Sequence, residues 1–317
     1  MIQKLQGKDH YKDRLYIHWD LHTKCNLNCE YCYARRFYNP LKKWSKLPNL
    51  NTQKHIIKSI SFSSLPVFLG LQGGEPTLDP NLLELVDLID SEILEKHDKN
   101  RLYITSNLKE PETLFKIPAN KKIFILGSFH PRDTYITDFL DSILKLQESF
   151  KVRVNLMLID EPGLYKKLHN AYECLINTKA EIHPHFVYED HSRGSLALYS
   201  SKFYEEFKYM KTQRDFEIEE TFGDSTMVET SEISDFELFE HNKHHFYGFH
   251  CYNNNYEIDF EGNVKVLCKS TKDSLLKNPL YFKNIAKIEP MICPHQNCNC
   301  DGLLKVLKVK NSNGILK

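Results

Sequence analysis

Short runs of apolar residues alternate with amphipathic segments through residues 1–190 of the chain. The runs are rich in Val, Ile, Leu, Phe and Tyr, which is typical of parallel strands that are buried on both faces. Segments 81–94 and 134–146, which lie between them, repeat apolar residues at helical spacing. The predicted strands are residues 15–22, 67–72, 102–105, 123–127, 152–159 and 181–187.

Six β-α alternations predict an α/β fold in which helices cover the outside of a parallel sheet. Six units are too few for a closed eight-stranded barrel. They are enough for an open, partial (β/α)6 barrel of the TIM type, and this is the fold that we expect.

The pattern changes after about residue 190. Residues 192–240 are acidic and aromatic, with helical periodicity in patches and no clean strand, whereas residues 250–302 contain five cysteines and a hairpin-like run at 256–267. The sequence therefore predicts three parts, which are a barrel at 1–190, an acidic and aromatic linking segment at 191–249, and a small cysteine-rich extension at 250–317.

Composition excludes several classes of protein. The 317 residues are 41% hydrophobic and 26% charged, the usual mix of a soluble globular protein. Lys and Arg together number 42, as do Asp and Glu, so no basic excess indicates a nucleic-acid partner. The apolar runs are too short to span a membrane, and residues 1–14 lack the apolar core of a signal peptide. We expect a cytoplasmic protein with no membrane or nucleic-acid partner.

The nine cysteines are clustered. In a chain without a secretion signal, clustered cysteines favour a metal or redox role over disulfides. Three of them lie near the start, one lies alone in the middle, and five lie near the end: Cys25, Cys29, Cys32, then Cys174, then Cys251, Cys268, Cys293, Cys298 and Cys300.

The first three cysteines, Cys25, Cys29 and Cys32, follow the first predicted strand in a C-x-x-x-C-x-x-C pattern. Structural zinc sites normally have four protein ligands, and no obvious fourth ligand stands beside this loop. An iron–sulfur cubane suits three thiolates better, because its fourth iron stays open for another ligand.

This pattern, with aromatic Tyr31 before the last cysteine, resembles the signature of the radical S-adenosylmethionine (SAM) superfamily. The fold of that family is an open partial (β/α)6 barrel whose cluster loop follows the first strand. The resemblance implies a [4Fe–4S] cluster on Cys25, Cys29 and Cys32 that binds SAM.

Further polar residues follow in the order that the resemblance implies. A Gly-Gly-Glu turn closes the second strand and, in the family, holds the methionine amino group of SAM. Alone, each of the other positions is also explained as a strand-end cap or a satisfied polar residue. The implied SAM-binding residues are Tyr31, Gly73, Gly74, Glu75, Ser106, Asn107, Ser128 and Asn155.

The resemblance also implies a reaction. An external one-electron donor such as flavodoxin or ferredoxin would reduce the cluster, and SAM would be cleaved to methionine and a 5′-deoxyadenosyl radical. That radical abstracts a hydrogen atom from the substrate. The cofactor supplies this chemistry, while the protein binds and positions the reactants.

The late cysteines resemble the auxiliary-cluster extensions called SPASM or twitch domains. The resemblance implies one auxiliary [4Fe–4S] cluster, held by Cys251, Cys268 and at least two of Cys293, Cys298 and Cys300. Five residues separate the turn glycine from Cys268, where the usual pattern has four. A structural zinc site made from the same residues, with a neighbouring histidine, is the alternative.

The expected substrate is a ribosomally synthesised peptide that is crosslinked, epimerised or oxidised. The alternatives are a small molecule of cofactor biosynthesis and a non-catalytic zinc or iron–sulfur binding module. Cys174 lies in a helical pattern and is interpreted first as a buried helix residue. In radical SAM peptide epimerases a cysteine outside the clusters donates a hydrogen atom, which makes Cys174 a candidate catalytic residue.

Overall fold

The computed structural model describes most of the chain. The described residues are 2–8, 10–32, 49–190, 195–196, 199–210, 216–221, 228–269, 272–294, 298 and 305–310.

A nine-stranded sheet forms the body of the molecule, in the order β15-β14-β13-β2-β3-β4-β5-β6-β7. Strands β2 to β7 pair in parallel and in chain order, as the partial barrel requires. They confirm the six predicted strands, and β7 and β15 are the two free edges of an open sheet. The parallel strands are β2 (Leu15–Asp20), β3 (Val67–Gln72), β4 (Arg101–Ser106), β5 (Ile123–Phe129), β6 (Lys151–Leu158) and β7 (Glu181–Phe186).

Helices cover one face of this sheet. The two predicted helices are confirmed, with bounds two residues or so shorter than the pattern suggested. Strand residues on the covered face, such as Ile17, Val154 and Leu156, are fully buried against the helices. The helices are α1 (Leu50–Ser61), α2 (Leu82–Glu92), α3 (Ile136–Leu146), α4 (Pro162–Leu175), α5 (Ser201–Phe207) and α6 (Asp235–Glu240).

The other face of the sheet carries polar side chains among aromatic ones. Because successive residues of a strand point to opposite faces, the residues between the buried aliphatic ones lie on the concave side. Ser128, Asn155 and His183 are aligned there across β5, β6 and β7. On the same face, the Tyr103 hydroxyl lies 2.5 Å from Nδ1 of His18. The barrel therefore presents hydrogen-bonding groups to its interior.

The predicted C-terminal hairpin is confirmed and belongs to the same sheet. It consists of β13 (Asn255–Ile258) and β14 (Asn263–Val266), and β15 (Lys272–Ser274) extends it. Strand β13 pairs in parallel with β2, so the hairpin prolongs the barrel sheet at its first strand. At the turn, one carboxylate oxygen of Asp259 accepts hydrogen bonds from two backbone N–H groups.

A second sheet gathers strands from distant parts of the chain, in the order β11-β10-β1-β17-β12-β16. The segment 192–240 was expected to lack strands, and this expectation is wrong. β10 and β11 form an antiparallel hairpin there, and β10 pairs with β1 from the N-terminus. Pairing with a remote strand outweighs weak local propensity. These strands are β1 (Ile2–Gly7), β10 (Phe216–Thr221), β11 (Val228–Ile233), β12 (His250–Cys251), β16 (Met291–Ile292) and β17 (Lys308–Val309).

A short pair, β8 (Tyr188–Asp190) and β9 (Ser195–Leu196), completes the described strands. Among the described residues, no helix combines the length and the apolar composition needed to cross a bilayer. The predicted domain limits at residues 190 and 250 stay a prediction.

Candidate metal centre and its surroundings

The first cysteine loop leaves the carboxyl end of β2. Cys29 is buried, and Cys25 and Cys32 are half-buried. The three thiols are close enough to influence one another electrostatically. Burial raises the pKa of Cys25 to about 11 and that of Cys29 to about 12. Without a metal these thiols are therefore protonated, and a bound cation is needed to hold them as thiolates.

The donor set and the space around it fit an iron–sulfur centre. Three soft sulfur donors lie on one short loop at the carboxyl end of β2, and this donor set suits a cubane that leaves one iron open, whereas no three described side chains have the spacing of a single-metal site. Beside them lies a cavity of about 370 Å³. Its lining residues are Cys25, Asn26, Leu27, Asn28, Lys109 and Asp133.

The Gly-Gly-Glu turn after β3 packs directly on the backbone that leads into this loop. The Gly74 N–H donates to the His22 carbonyl at 2.8 Å, and the Glu75 N–H donates to the Lys24 carbonyl at 2.8 Å. Gly73 has φ 128°, a conformation that side chains disfavour. A methyl group at Gly74 would lie 1.9 Å from the Lys24 carbonyl oxygen. In this structure both glycines allow the turn to approach the cluster loop.

The Glu75 carboxylate is buried beneath the loop. One oxygen accepts from the Thr77 N–H at 3.2 Å and its hydroxyl at 2.9 Å, and the other accepts from the Asn107 N–H at 2.8 Å. Burial raises the pKa of Glu75, and these hydrogen bonds oppose the rise. Ser106 also hydrogen-bonds the carboxylate. Glu75 thus ties the end of β3 to the end of β4.

Asn107 continues this network to the cysteines. Its side-chain amide donates to Oδ1 of Asn26 at 2.8 Å and lies 3.8 Å from Sγ of Cys25. Ser106 and Asn107 are predicted SAM-binding residues, and in the structure Ser106 contacts Glu75 while Asn107 contacts Glu75 and the cluster loop. Asn107 therefore connects the Glu75 carboxylate to the cluster loop, and Ser106 supports that carboxylate.

Residues that follow β5 contact the other side of the loop, and sequence reasoning did not select them as site residues. Nδ1 of His130 lies 2.8 Å from the Tyr31 hydroxyl and 3.4 Å from Sγ of Cys29. The Cys29 thiol also lies 3.8 Å from a carboxylate oxygen of Asp133. Burial lowers the pKa of His130 to about 4, so its imidazole is neutral near pH 7. Their only sequence signal was a position just after a predicted strand.

An ion-pair network reinforces this contact at the surface. The Arg132 guanidinium lies 2.6 Å from a Glu30 carboxylate oxygen and 2.7 Å from one of Glu161. Glu30 stands between Cys29 and Tyr31 in the loop. Arg132 therefore links the loop to the segments that follow β5 and β6.

The remaining predicted site residues of the barrel lie in two places. Ser128 and Asn155 are register neighbours on the concave face, Ser128 buried and Asn155 half-buried. Cys174 lies in the last turn of α4, where its thiol is 4.0 Å from Oδ1 of Asn170. Because such helices run antiparallel to the strands, that turn is at the amino ends of the strands, away from the cluster loop. The structure does not bring Cys174 to the site.

The C-terminal cysteines gather around the second sheet. Cys251 lies in β12, Cys293 follows β16, and both are buried with Cys298 in one apolar cluster against which Cys268 packs. Cys268 adopts φ 61°, a left-handed conformation that is unfavourable for a non-glycine residue. Cys300 lies outside the described residues.

Burial also governs the ionisation of these thiols. It raises the pKa of Cys251 to about 11 and that of Cys268 to about 12, and it raises that of Cys298 as well. The thiols influence one another electrostatically. Among the described residues, no three Cys, His, Asp or Glu side chains have the spacing to hold a single metal ion.

Comparisons with known proteins agree with this geometry. Residues 16–130 match the family model of a 4Fe-4S single cluster domain, a range that contains the first cysteine loop. SuiB of Streptococcus suis, solved with S-adenosylmethionine bound, is similar in structure, with a TM-score of 0.52 and 15% identity over 84% of this chain. This chain therefore shares the fold of that SAM-binding protein.

A second structure with bound AdoMet is similar in fold. The anSMEcpe structure, solved with AdoMet and a Kp18Cys peptide, has a TM-score of 0.50 and 13% identity, covering 80% of this chain and 74% of that one. This chain spans 64% of the SuiB chain. At such identities the likeness shows the fold. No curated protein matches the sequence. The predicted α/β fold and a 4Fe-4S domain within residues 16–130 are confirmed, and Cys25, Cys29 and Cys32 as its ligands stay a prediction.

Proposed function

We propose that the protein is a radical SAM enzyme of the cytoplasm. The observation that carries the proposal is the position of Cys25, Cys29 and Cys32 on one loop at the carboxyl end of the first barrel strand, where catalytic groups of such barrels lie. When bound there, a [4Fe–4S] cluster and SAM supply reductive cleavage of SAM to methionine and a 5′-deoxyadenosyl radical, which abstracts hydrogen from the substrate. An external one-electron donor, such as flavodoxin or ferredoxin, would reduce the cluster.

The chain's own residues support the centre. Gly73 and Gly74 let the turn after β3 hold the cluster loop, and the buried Glu75 carboxylate locks that turn to β4. Ser128 and Asn155 offer polar groups on the concave face for SAM or substrate. These residues orient the reactants within a site that is formed before they bind.

We propose that Cys251, Cys268, Cys293 and Cys298 hold one auxiliary [4Fe–4S] cluster. Three of these cysteines are buried in one group of apolar side chains, and Cys268 packs against that group. This shared location supports the ligand set, since such a centre needs four thiolates. Cys300 is the fifth candidate. An auxiliary cluster would bind substrate or accept the electron that remains after hydrogen abstraction.

We propose a peptide as the substrate. The support is the likeness to anSMEcpe, whose structure contains a bound peptide. The concave face, with Tyr103 and His18 in hydrogen-bond contact, is suited to backbone and side-chain groups of an extended segment. Residues 1–190, 191–249 and 250–317 would then act as barrel, link and auxiliary domain.

The central test replaces Cys25, Cys29 and Cys32 by Ala. The wild-type protein, purified without oxygen, is expected to contain about eight irons per chain, the content of two cubanes. With SAM and a strong reductant it should release 5′-deoxyadenosine. The triple variant should lose about half of the iron and all of this product, because the open iron that binds SAM is gone.

The matched control is Cys174→Ala, which removes one thiol that lies away from the site. It should retain the iron content and the cleavage of SAM. If the triple variant still released 5′-deoxyadenosine, or if the wild type bound zinc and left SAM intact, the proposal would be wrong.

Substrate class needs a separate experiment. Short peptides encoded beside the gene would be made with deuterated side chains and incubated with enzyme, SAM and reductant. Deuterium in the released 5′-deoxyadenosine would identify a peptide substrate. If no peptide transferred deuterium while SAM was still cleaved, the peptide proposal would be wrong and the proposed cleavage of SAM would be unaffected.

A further inference from the structure

Lys308 is a fully buried lysine beside the C-terminal cysteines. Its relative exposure is 0%, and it is among the largest completely buried side chains. In β17 it is the antiparallel partner of Cys251 in β12 and of Leu5 in β1. Cross-strand partners point to the same face of a sheet and lie side by side. The lysine side chain therefore shares the cysteine-bearing face of the second sheet.

The contacts of the ammonium group lead into the thiol cluster. Nζ donates to the Val306 carbonyl at 3.1 Å, lies 5.2 Å from the centre of the Phe246 ring, and hydrogen-bonds the Cys298 thiol. Its positive charge opposes the rise that burial causes in the pKa values of Cys251, Cys268 and Cys298.

A buried ammonium is unfavourable unless an anion compensates it, and a group of buried thiolates has the opposite problem. Protonated thiols do not supply that negative charge, whereas metal-bound thiolates do. Metal-bound thiolates and the Lys308 ammonium therefore carry buried charges of opposite sign at hydrogen-bond distance.

We propose that Lys308 is the internal counter-cation of the C-terminal thiolate centre and raises the reduction potential of the cluster bound there. The inference rests on the proposed auxiliary cluster. Reduction adds a negative charge to the centre, and a nearby cation with an N–H···S hydrogen bond stabilises that charge. Lys308 is a positioning residue in this scheme, since it acts through the cysteine ligands.

The test compares Lys308→Met with Lys308→Arg in full-length protein that also carries the Cys25, Cys29 and Cys32 to Ala changes. In this background the C-terminal centre alone contributes to the spectrum. An EPR-monitored redox titration measures its midpoint potential. We expect Lys308→Met to favour the oxidised form at least tenfold, a shift of about 59 mV to lower potential. Lys308→Arg keeps the charge and should stay within a few-fold of the parent.

The control is Lys4→Met. Lys4 lies next to Leu5 in β1, so its side chain points to the opposite face of the same sheet, where it contacts Glu219 at 2.7 Å. It should leave the midpoint potential unchanged. If Lys4→Met and Lys308→Met shifted the midpoint potential equally, the cause would be a general loss of sheet stability, and the proposal would be wrong.

Two further measurements distinguish a counter-cation from a packing residue. Lys308→Met should lose metal to a chelator several-fold faster than the parent, and Lys308→Arg should restore the slower rate. In metal-free protein Lys308→Met should instead be the more stable variant and unfold at a higher denaturant concentration, because it removes the desolvation cost of a buried ammonium. An unchanged potential and chelation rate in Lys308→Met would overturn the proposal, as would equal metal loss in both variants.

These outcomes are independent of the proposed cleavage of SAM. Release of 5′-deoxyadenosine by protein with intact Cys25, Cys29 and Cys32 tests that function by itself. If this release failed while the chelation and stability effects of Lys308→Met appeared, the enzyme assignment would be wrong and the counter-cation would stand. If the C-terminal centre bound zinc, which has no redox chemistry, the proposed effect of Lys308 on reduction potential would be wrong.

Discussion

Replacing Gly74 by Ala should displace the cluster loop and remove the first metal centre. The added methyl would lie 1.9 Å from the Lys24 carbonyl oxygen and 2.4 Å from its carbonyl carbon. Ordinary contacts are about 3.5 Å, so the backbone before Cys25 would have to retreat by roughly 1.5 Å. No side-chain rotation relieves this clash, because the obstructing atoms belong to the main chain.

The energetic cost follows from two terms. The movement would stretch the hydrogen bonds that Gly74 and Glu75 donate to the loop, both 2.8 Å long. Two such bonds contribute about 1 kcal/mol each, and overpacking costs about 1–3 kcal/mol. We therefore expect the free energy of unfolding to fall by about 3–5 kcal/mol.

The assay is denaturant unfolding of metal-free protein, followed by iron and sulfide analysis after anaerobic reconstitution. Gly74→Ala should retain only the iron of the C-terminal centre and should not cleave SAM. Gly163→Ala is the matched control, because a methyl at this position of α4 meets no atom within 4 Å. It should be neutral or stabilise the helix by roughly 0.5–1 kcal/mol. Normal iron content and unchanged stability in Gly74→Ala would refute the assignment of this turn as the support of the loop.

Three smaller changes probe other contacts. Burial lowers the pKa of His10 to about 3, so the unfolded chain takes up a proton below about pH 6.5 while the folded chain does not. The unfolding free energy of metal-free protein should fall, as the pH drops from 6.5 towards 4, by up to about 1.4 kcal/mol per unit, and His10→Gln should flatten that slope in denaturant titrations. Asn107→Ala removes the amide beside Cys25 and should speed iron loss to a chelator several-fold, whereas a wild-type rate would exclude this support. Arg132→Gln breaks the exposed pair with Glu30 and should cost less than about 1 kcal/mol, an effect that vanishes when unfolding is repeated at high salt.

The barrel could be predicted because its signals are local. Each buried parallel strand is a short apolar run that is recognisable without knowledge of its partner. The cluster loop is equally local, since Cys25, Cys29 and Cys32 lie within eight residues of one another. The order of the six strands then followed from the short, right-handed connections of β-α units.

The second sheet could not be predicted in the same way. β1 and β10 carry alternating or polar sequences, and each is stabilised by a partner more than two hundred residues away. The segment that contains β10 and β11 was therefore predicted to be an acidic link without clean strands. Non-local pairing leaves no mark within either segment alone.

At the candidate site, too, some features could be predicted from local sequence and others depend on contacts between distant segments. Sequence reasoning selected the Gly-Gly-Glu turn, but only the structure shows the glycines packed on the backbone at Lys24. His130 and Asp133 reach Cys29 because the carboxyl ends of the barrel strands lie at one end of the sheet, although about a hundred residues separate them in the chain.

The sequence by itself determined the fold class, the first cysteine loop and the clustering of the late cysteines, since these depend on residue type and spacing. The tertiary structure decided which groups surround the sulfur atoms. Nothing near Lys308 in the sequence distinguishes it from an ordinary surface lysine. Its burial beside Cys251 arises from the register between two short strands more than fifty residues apart. Local patterns specify elements, whereas the electrostatic environment of a site depends on packing between distant segments.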